Sequence, residues 1–240
     1  MTTFSMDFDF TSAEQKKVLT YLQANNYQLL GFKGAKGPNQ LAVGVPTWFS
    51  VPFGNIFGTV AIDYEPKYKV YVFNKSQIAA YTTIEMQALS SEIALGNGLV
   101  FNADGTFTAG TNPVPPGSIA LTNNRPAGTP NVTVGLAGLI NTPAGQQYLP
   151  FCAFTLTPQG SINMTPQETI ALFAAQVNLQ SGNVQAVASA PGCSFSFSSS
   201  TTSYQLQILD STYQVLNAPG TTPVTPVGSG ANLVTLVNFV

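Results

Sequence analysis

Histidine is absent from the 240 residues, and charge is scarce: 8 Lys+Arg and 10 Asp+Glu make 8% of the chain, against about 25% in an ordinary soluble domain. Without an imidazole, Ser-His-Asp and Cys-His nucleophilic sites, His-ligated zinc and a histidine general base are all excluded. Cations are scarcer still in the second half, where Arg125 is the only one beyond Lys75. No basic cluster exists to neutralise a phosphate backbone, so nucleic acid is not an expected partner. The two cysteines, Cys152 and Cys193, are too few for a disulfide framework or a thiolate metal cage. Their runs, PFCAF and PGCSF, suit buried structural thiols, with a single bridge between them as the alternative. Long apolar runs are missing as well. Residues 126–167 carry no charge, but Pro, Gly, Asn and Thr interrupt them, so no helix is expected to cross a membrane there. The opening MTTFSMDFDF shows no basic region followed by an apolar core. The expectation is a cytoplasmic protein or one exported by a non-classical route.

Apolar residues make up 44% of the chain, enough to build a core rather than a disordered chain. One helix is expected from about residue 12, where Thr11/Glu14 or Ser12/Gln15 forms a capping box, Val18, Leu19, Tyr21 and Leu22 form an apolar stripe, and Asn25-Asn26 ends it. From Tyr27 onward the signal is of strands. Residues 60–75 alternate, with Ile62, Tyr64, Tyr68, Val70 and Val72 on one face and Asp63, Glu65, Lys67, Lys69 and Lys75 on the other. Pro66 cannot donate to a ladder, which places this strand at an edge or at a bulge. Asn97-Gly98 and Asp104-Gly105 read as hairpin turns, and 103–131, dense in Pro, Gly and Asn, as a connection.

An offset of 100 residues sets Ile62 on Ile162, Pro66 on Pro166, Val70 on Ile170, Val72 on Leu172 and Phe73 on Phe173, which suggests an internal duplication. The repeat makes 166–180 a strand, although Thr165-Pro166-Gln167-Glu168 also resembles a helix start. The expected fold is all-β and mainly antiparallel, a sandwich of jelly-roll type with one N-terminal helix. Its division would be residues 1–26 as arm and helix, 27–110 as a first β unit, 111–129 as a connection and 130–240 as a second unit, or one fused domain.

Chemical motifs are weak. Asp63 and Glu65 stand about 7 Å apart on one strand face, a carboxylate spacing of interest for glycoside hydrolysis, yet Lys67 and Lys69 beside them point to a solvated charge ladder. Gly31-Phe32-Lys33-Gly34-Ala35-Lys36-Gly37 matches neither phosphate-loop nor dinucleotide patterns and reads as a flexible turn after the strand YQLLGF. Asn102, Asp104 and Gly105 lack the later ligands of a calcium loop. No catalytic residue, cofactor or metal is therefore expected. Trp48, in VPTWFSVPFG, is the candidate ligand contact, because Trp and Tyr faces stack on pyranose rings. Core packing is its plainer role. In SFSFSSSTTSYQLQILD, Phe195, Phe197, Tyr204, Leu206 and Ile208 alternate with small hydroxyl residues, as in a membrane-inserting hairpin or any half-buried one.

Residues 126–240 contain only two charged side chains, Glu168 and Asp210. Uncharged outer faces cost little to desolvate, so the leading expectation is a non-catalytic protein that works through contact surfaces. Self-assembly into an oligomer or filament is one form, lectin-like glycan binding the other. A pore-forming toxin using the 194–210 hairpin at a membrane surface is the alternative, and a His-independent hydrolase a weaker one.

Overall fold

The computed structural model describes residues 2–238. The chain forms β1 (Phe4–Asp9), α1 (Ala13–Ala24), β2 (Gln28–Lys36), β3 (Val45–Pro46), β4 (Phe49–Pro52), a short 3-10 turn at Phe53–Asn55, and β5 (Thr59–Phe73). There follow β6 (Ala88–Leu89), β7 (Gly98–Phe101), β8 (Phe107–Ala109), β9 (Ile119–Asn123), β10 (Val132–Thr142), β11 (Gly145–Pro150) and β12 (Phe154–Leu156). The last elements are β13 (Ser161–Ala175), β14 (Val184–Gln185), β15 (Gly192–Ser196), β16 (Ser203–Ile208), β17 (Val215–Asn217), β18 (Thr225–Val227) and α2 (Leu233–Asn238).

Two eight-stranded sheets result, with β3 and β14 as a separate pair. The first runs β11-β10-β5-β1-β16-β17, with β12 on β10 and β6 on β5; the second runs β18-β15-β13-β9-β7-β8, with β2 set between β13 and β4. Pairing is antiparallel except between β1 and β16 and between β7 and β9. The main core lies between the sheets and draws on both, from Phe4, Met6, Phe8 and Tyr64 on one side to Leu29, Ile162, Leu172 and Phe195 on the other. Each such large side chain contributes about 1.5–3 kcal/mol on full burial. The all-β sandwich expected from alternation is therefore the fold.

The long strands are covered on both faces. The outer face of the second sheet carries Leu30, Phe32, Ala171 and Phe173 under Leu233 and Val237 of α2. That of the first carries Tyr71 and Phe73 under Ile78 and Ile84. Double coverage explains why β2, buried along nearly its whole length, contains all but the last residue of the run Gly31–Gly37 that reads as a loop. A Cβ on Gly31 would stand 2.1 Å from the Phe49 ring and one on Gly34 2.0 Å from Asn238 Oδ1. The glycines allow close approach across a central strand; they do not make a flexible turn.

Pairings recur along the chain in the same order. β1 pairs β5 as β9 pairs β13, β5 pairs β6 as β13 pairs β15, β7 pairs β8 as β16 pairs β17, and β2 pairs β4 as β10 pairs β12. Two further kinds join the halves: β2 lies on β13 as β10 lies on β5, and β1 runs parallel to β16 as β7 runs parallel to β9. Both 15-residue strands also carry two more residues than their partner, between Glu65 and Tyr68 in β5 and between Pro166 and Ile170 in β13. Pro66 thus sits in a bulge of an interior strand, as one of its two expected placements required. Residues 166–175 are strand.

Other local expectations divide. Ser12 caps α1, its Oγ accepting from Gln15 N at 3.1 Å, but the Gln15 amide does not close a capping box; it donates to Ile208 O and accepts from Ile208 N, tying α1 to β16. Val18, Leu19 and Leu22 are buried while Tyr21 is exposed. Asp104-Gly105 turns β7 into β8, with Gly105 at φ 83°. Asn97-Gly98 does not turn: the reversal is at Leu95-Gly96, where Gly96 has φ 83°, and Gly98 opens β7. The N-terminal arm is the interior strand β1, and the 111–129 connection contains the interior strand β9.

Candidate functional site

Trp48, the sequence candidate for ligand contact, follows β3 and lies wholly inside the sandwich, its ring centroid 5.1 Å from Tyr64, 5.6 Å from Phe49 and 6.2 Å from Phe151. It presents no face to solvent and acts as core. The candidate membrane hairpin needs a larger correction. β15, bearing Phe195, belongs to the second sheet, and β16, bearing Tyr204, Leu206 and Ile208, belongs to the first. The run crosses from sheet to sheet, and all five apolar side chains, Phe197 included, face the core. A period of two identifies strands; it does not say which strand is the partner.

Asp63 accepts from Ser5 Oγ at 2.9 Å, and Glu65 stands 2.8 Å from Lys67 Nζ, so this pair forms the surface charge ladder. Cys152 and Cys193 are both free and buried. Burial pushes the Cys152 thiol up to about 12, with the Leu136 N–H on its sulfur at 3.3 Å pulling the other way, and burial raises Cys193 too. Neither is a thiolate nucleophile near neutral pH.

A polar cluster unseen in the sequence lies in the core. Lys33 of β2 is fully buried, and its Nζ donates to Glu168 Oε2 at 3.0 Å and to the carbonyl of Gln167. The Tyr64 and Tyr68 hydroxyls of β5 stand 2.6 Å apart and lie 3.3 and 3.1 Å from Glu168 Oε1; their two protons make one hydrogen bond between the tyrosines and one to the carboxylate. The Lys33 ammonium also stands 4.6 Å over the Tyr64 ring. The two extra residues in β13 turn Glu168 and the Gln167 carbonyl toward Lys33. Burial lowers the Lys33 pKa, opposed by the Glu168 carboxylate, and burial raises both tyrosines. Every polar head in this cluster has a partner, and the ammonium has no opening to a ligand, so it ties the two sheets together.

One of several concave surfaces lies elsewhere, where the C-terminal end of α1 enters β2. A cleft of about 460 Å³ is lined by Gln23, Asn26, Tyr27, Gln28, Pro52, Gly54, Gln176, Val177 and Asn178. A smaller recess, of about 270 Å³, continues from Tyr27, Gln176 and Val177 to Ser189, Pro191, Thr212 and Tyr213. Every one of these residues is uncharged. Tyr21 and Tyr213 stack at 4.6 Å with planes 3° apart, and Tyr27 leans against both at 6.2 and 5.6 Å, tilted by 56° and 58°. Local structure holds these rings in place. Asn26 takes φ 53° to end the helix, and Tyr213 takes φ 55° in the turn after β16. Gln28 Oε1 accepts from Leu179 N at 3.0 Å, fixing the 176–179 loop, and Gln23 Nε2 donates to Ile56 O. Exposed amides of Asn26, Gln176 and Asn178 remain at the rim. Aromatic faces beside free amides can stack on a sugar ring and hydrogen-bond its hydroxyls. Among the described residues no group of three or more Cys, Asp or Glu side chains is arranged to hold a metal ion. No family model, curated protein or solved structure matches the chain.

Proposed function

We propose that this protein is a non-catalytic β-sandwich that binds neutral glycans at the tyrosine–amide cleft. The observation that carries the reading is the joined pair of uncharged recesses through which Tyr27 runs, with Tyr213 stacked on Tyr21 at one end and the Asn178 and Gln176 amides at the other. Sugar hydroxyls need donors and acceptors in fixed places, and amides supply both without the desolvation cost of a charge. The absence of any lining charge favours neutral saccharides over acidic ones. A concave site suits a small ligand better than self-assembly does, and glycan recognition is preferred on that ground. Residues 194–210 cross between the sheets rather than forming one hairpin, and glycan recognition is preferred to pore formation for that reason.

A glycan array probed with untagged protein tests this. Binding is expected to neutral oligosaccharides, weakened about fivefold by Tyr213→Ala, since loss of one stacked ring removes on the order of 1 kcal/mol. Silence across the neutral glycans, or equal binding by a folded Tyr213→Ala protein, would overturn it.

A further inference from the structure

The tyrosine–amide cleft lies between the residues that lead into β2 and those that leave β13. Because β10 lies on β5 as β2 lies on β13, the corresponding place in the fold is between the residues leading into β10 and those leaving β5. A recess of about 540 Å³ is there, lined by Pro130 and Asn131 before β10 and by Asn74, Lys75, Ser76 and Gln77 after β5, together with Arg125. Its chemistry differs. Arg125 is the chain's only arginine and Lys75 the last lysine, and no carboxylate lines the recess. Among the described residues the salt bridges are those of Lys17, Lys33 and Lys67, so neither of these two cations is spent on an acid.

Both cations are held by neighbours that leave their charge free. Arg125 Nη1 reaches Asn74 Oδ1 at 3.5 Å, and its backbone N–H donates to Asn123 Oδ1 at 3.2 Å. Thr133 Oγ1 donates to the Lys75 carbonyl at 2.7 Å, fixing the backbone under that side chain. Lys75 Nζ stands 5.8 Å over the Phe73 ring. Two cationic residues lining one recess beside Asn74, Gln77 and Asn131 match an oxyanion carried on a hydroxyl-rich frame.

We propose that this second recess binds an acidic saccharide, with Arg125 and Lys75 on its carboxylate and the amides on its hydroxyls. The two ends of the sandwich would then divide the work, one taking neutral sugars and the other acidic ones. The saccharide part rests on the glycan reading of the tyrosine cleft; the anion part does not.

Calorimetric titration with a uronate-containing tetrasaccharide and its carboxyl-reduced counterpart tests the proposal, using wild type, Arg125→Gln, Lys75→Gln and Tyr213→Ala. Arg125→Gln and carboxyl reduction are each expected to weaken binding at least about tenfold, as loss of a charge-assisted hydrogen bond does. Lys75→Gln should weaken it less and flatten its salt dependence, and Tyr213→Ala should leave it unchanged. Equal binding of the carboxyl-reduced sugar, or binding lost in Tyr213→Ala but kept in Arg125→Gln, overturns the proposal. If inorganic sulfate binds as tightly as the tetrasaccharide, the saccharide assignment falls. If neutral glycans fail everywhere while the acidic one still depends on Arg125, the tyrosine-cleft reading falls and this one stands.

Discussion

Lys33 is a fully buried ammonium held by a carboxylate that is itself 31% exposed, and this asymmetry sets what each substitution does. Glu168→Ala leaves the ammonium in the core with only the Gln167 carbonyl and the faces of Tyr64 and Phe151, 4.6 and 5.7 Å away, and should cost about 3 kcal/mol, the lower end for breaking a buried pair. Lys33→Met fills the same space with an apolar chain and lets Glu168 turn toward water, so it should cost about 1 kcal/mol or less. Urea unfolding midpoints of the two variants decide the matter: if Lys33→Met is the more damaging, the ammonium is not the group that needs the pair. None of this was legible beforehand. Lys33 and Glu168 lie 135 residues apart, and only the two extra residues in β13 bring them together. The three tyrosines of the cleft have the same history, since Tyr213 meets Tyr21 and Tyr27 only when the turn after β16 returns to the end of α1.

Among the elements, those that depend on local chemistry were read from the sequence. The Ser12 cap, the alternation of β5, the bulge at Pro66 and the Asp104-Gly105 reversal each follow from residues within a few positions of one another. Elements that depend on distant neighbours were not. The glycines of β2 look like a loop because the side chains pressing on them, Phe49 and Asn238, come from elsewhere in the chain. The run 194–210 looks like a hairpin because alternation does not reveal that its two strands lie in opposite sheets. Gly135 of β10 shows the same close approach as Gly31, for a Cβ there would stand 2.0 Å from the Cys152 carbonyl and 2.7 Å from the Tyr71 ring. Gly135→Ala should therefore lower stability by about 1–3 kcal/mol through overpacking. Gly54→Ala, with nothing within 4 Å of the added carbon, should change it by no more than about 0.5 kcal/mol. Calorimetric melting of the pair separates close packing from loss of glycine's chain entropy, which would stabilise both.

For the whole molecule, the sparse charge becomes a matter of position. Of the two charged residues beyond Arg125, Glu168 is committed to Lys33 and Asp210 stands 3.1 Å from Lys17 at the surface. The rest of that half is uncharged, including its share of the tyrosine cleft. The two 15-residue strands, Thr59–Phe73 and Ser161–Ala175, correspond end to end at an offset of 102 rather than the 100 of the sequence match, and Pro66 lies within the bulge of β5 whereas Pro166 is still paired, with Ala35. The measurement that tests the account most directly is a nuclear magnetic resonance titration of labelled protein with a neutral oligosaccharide drawn from the array. Saturable shifts are predicted at the rings of Tyr27 and Tyr213 and at the side-chain amides of Gln176 and Asn178, with Trp48 unmoved. Shifts confined to any other surface, or none at millimolar sugar, would contradict it.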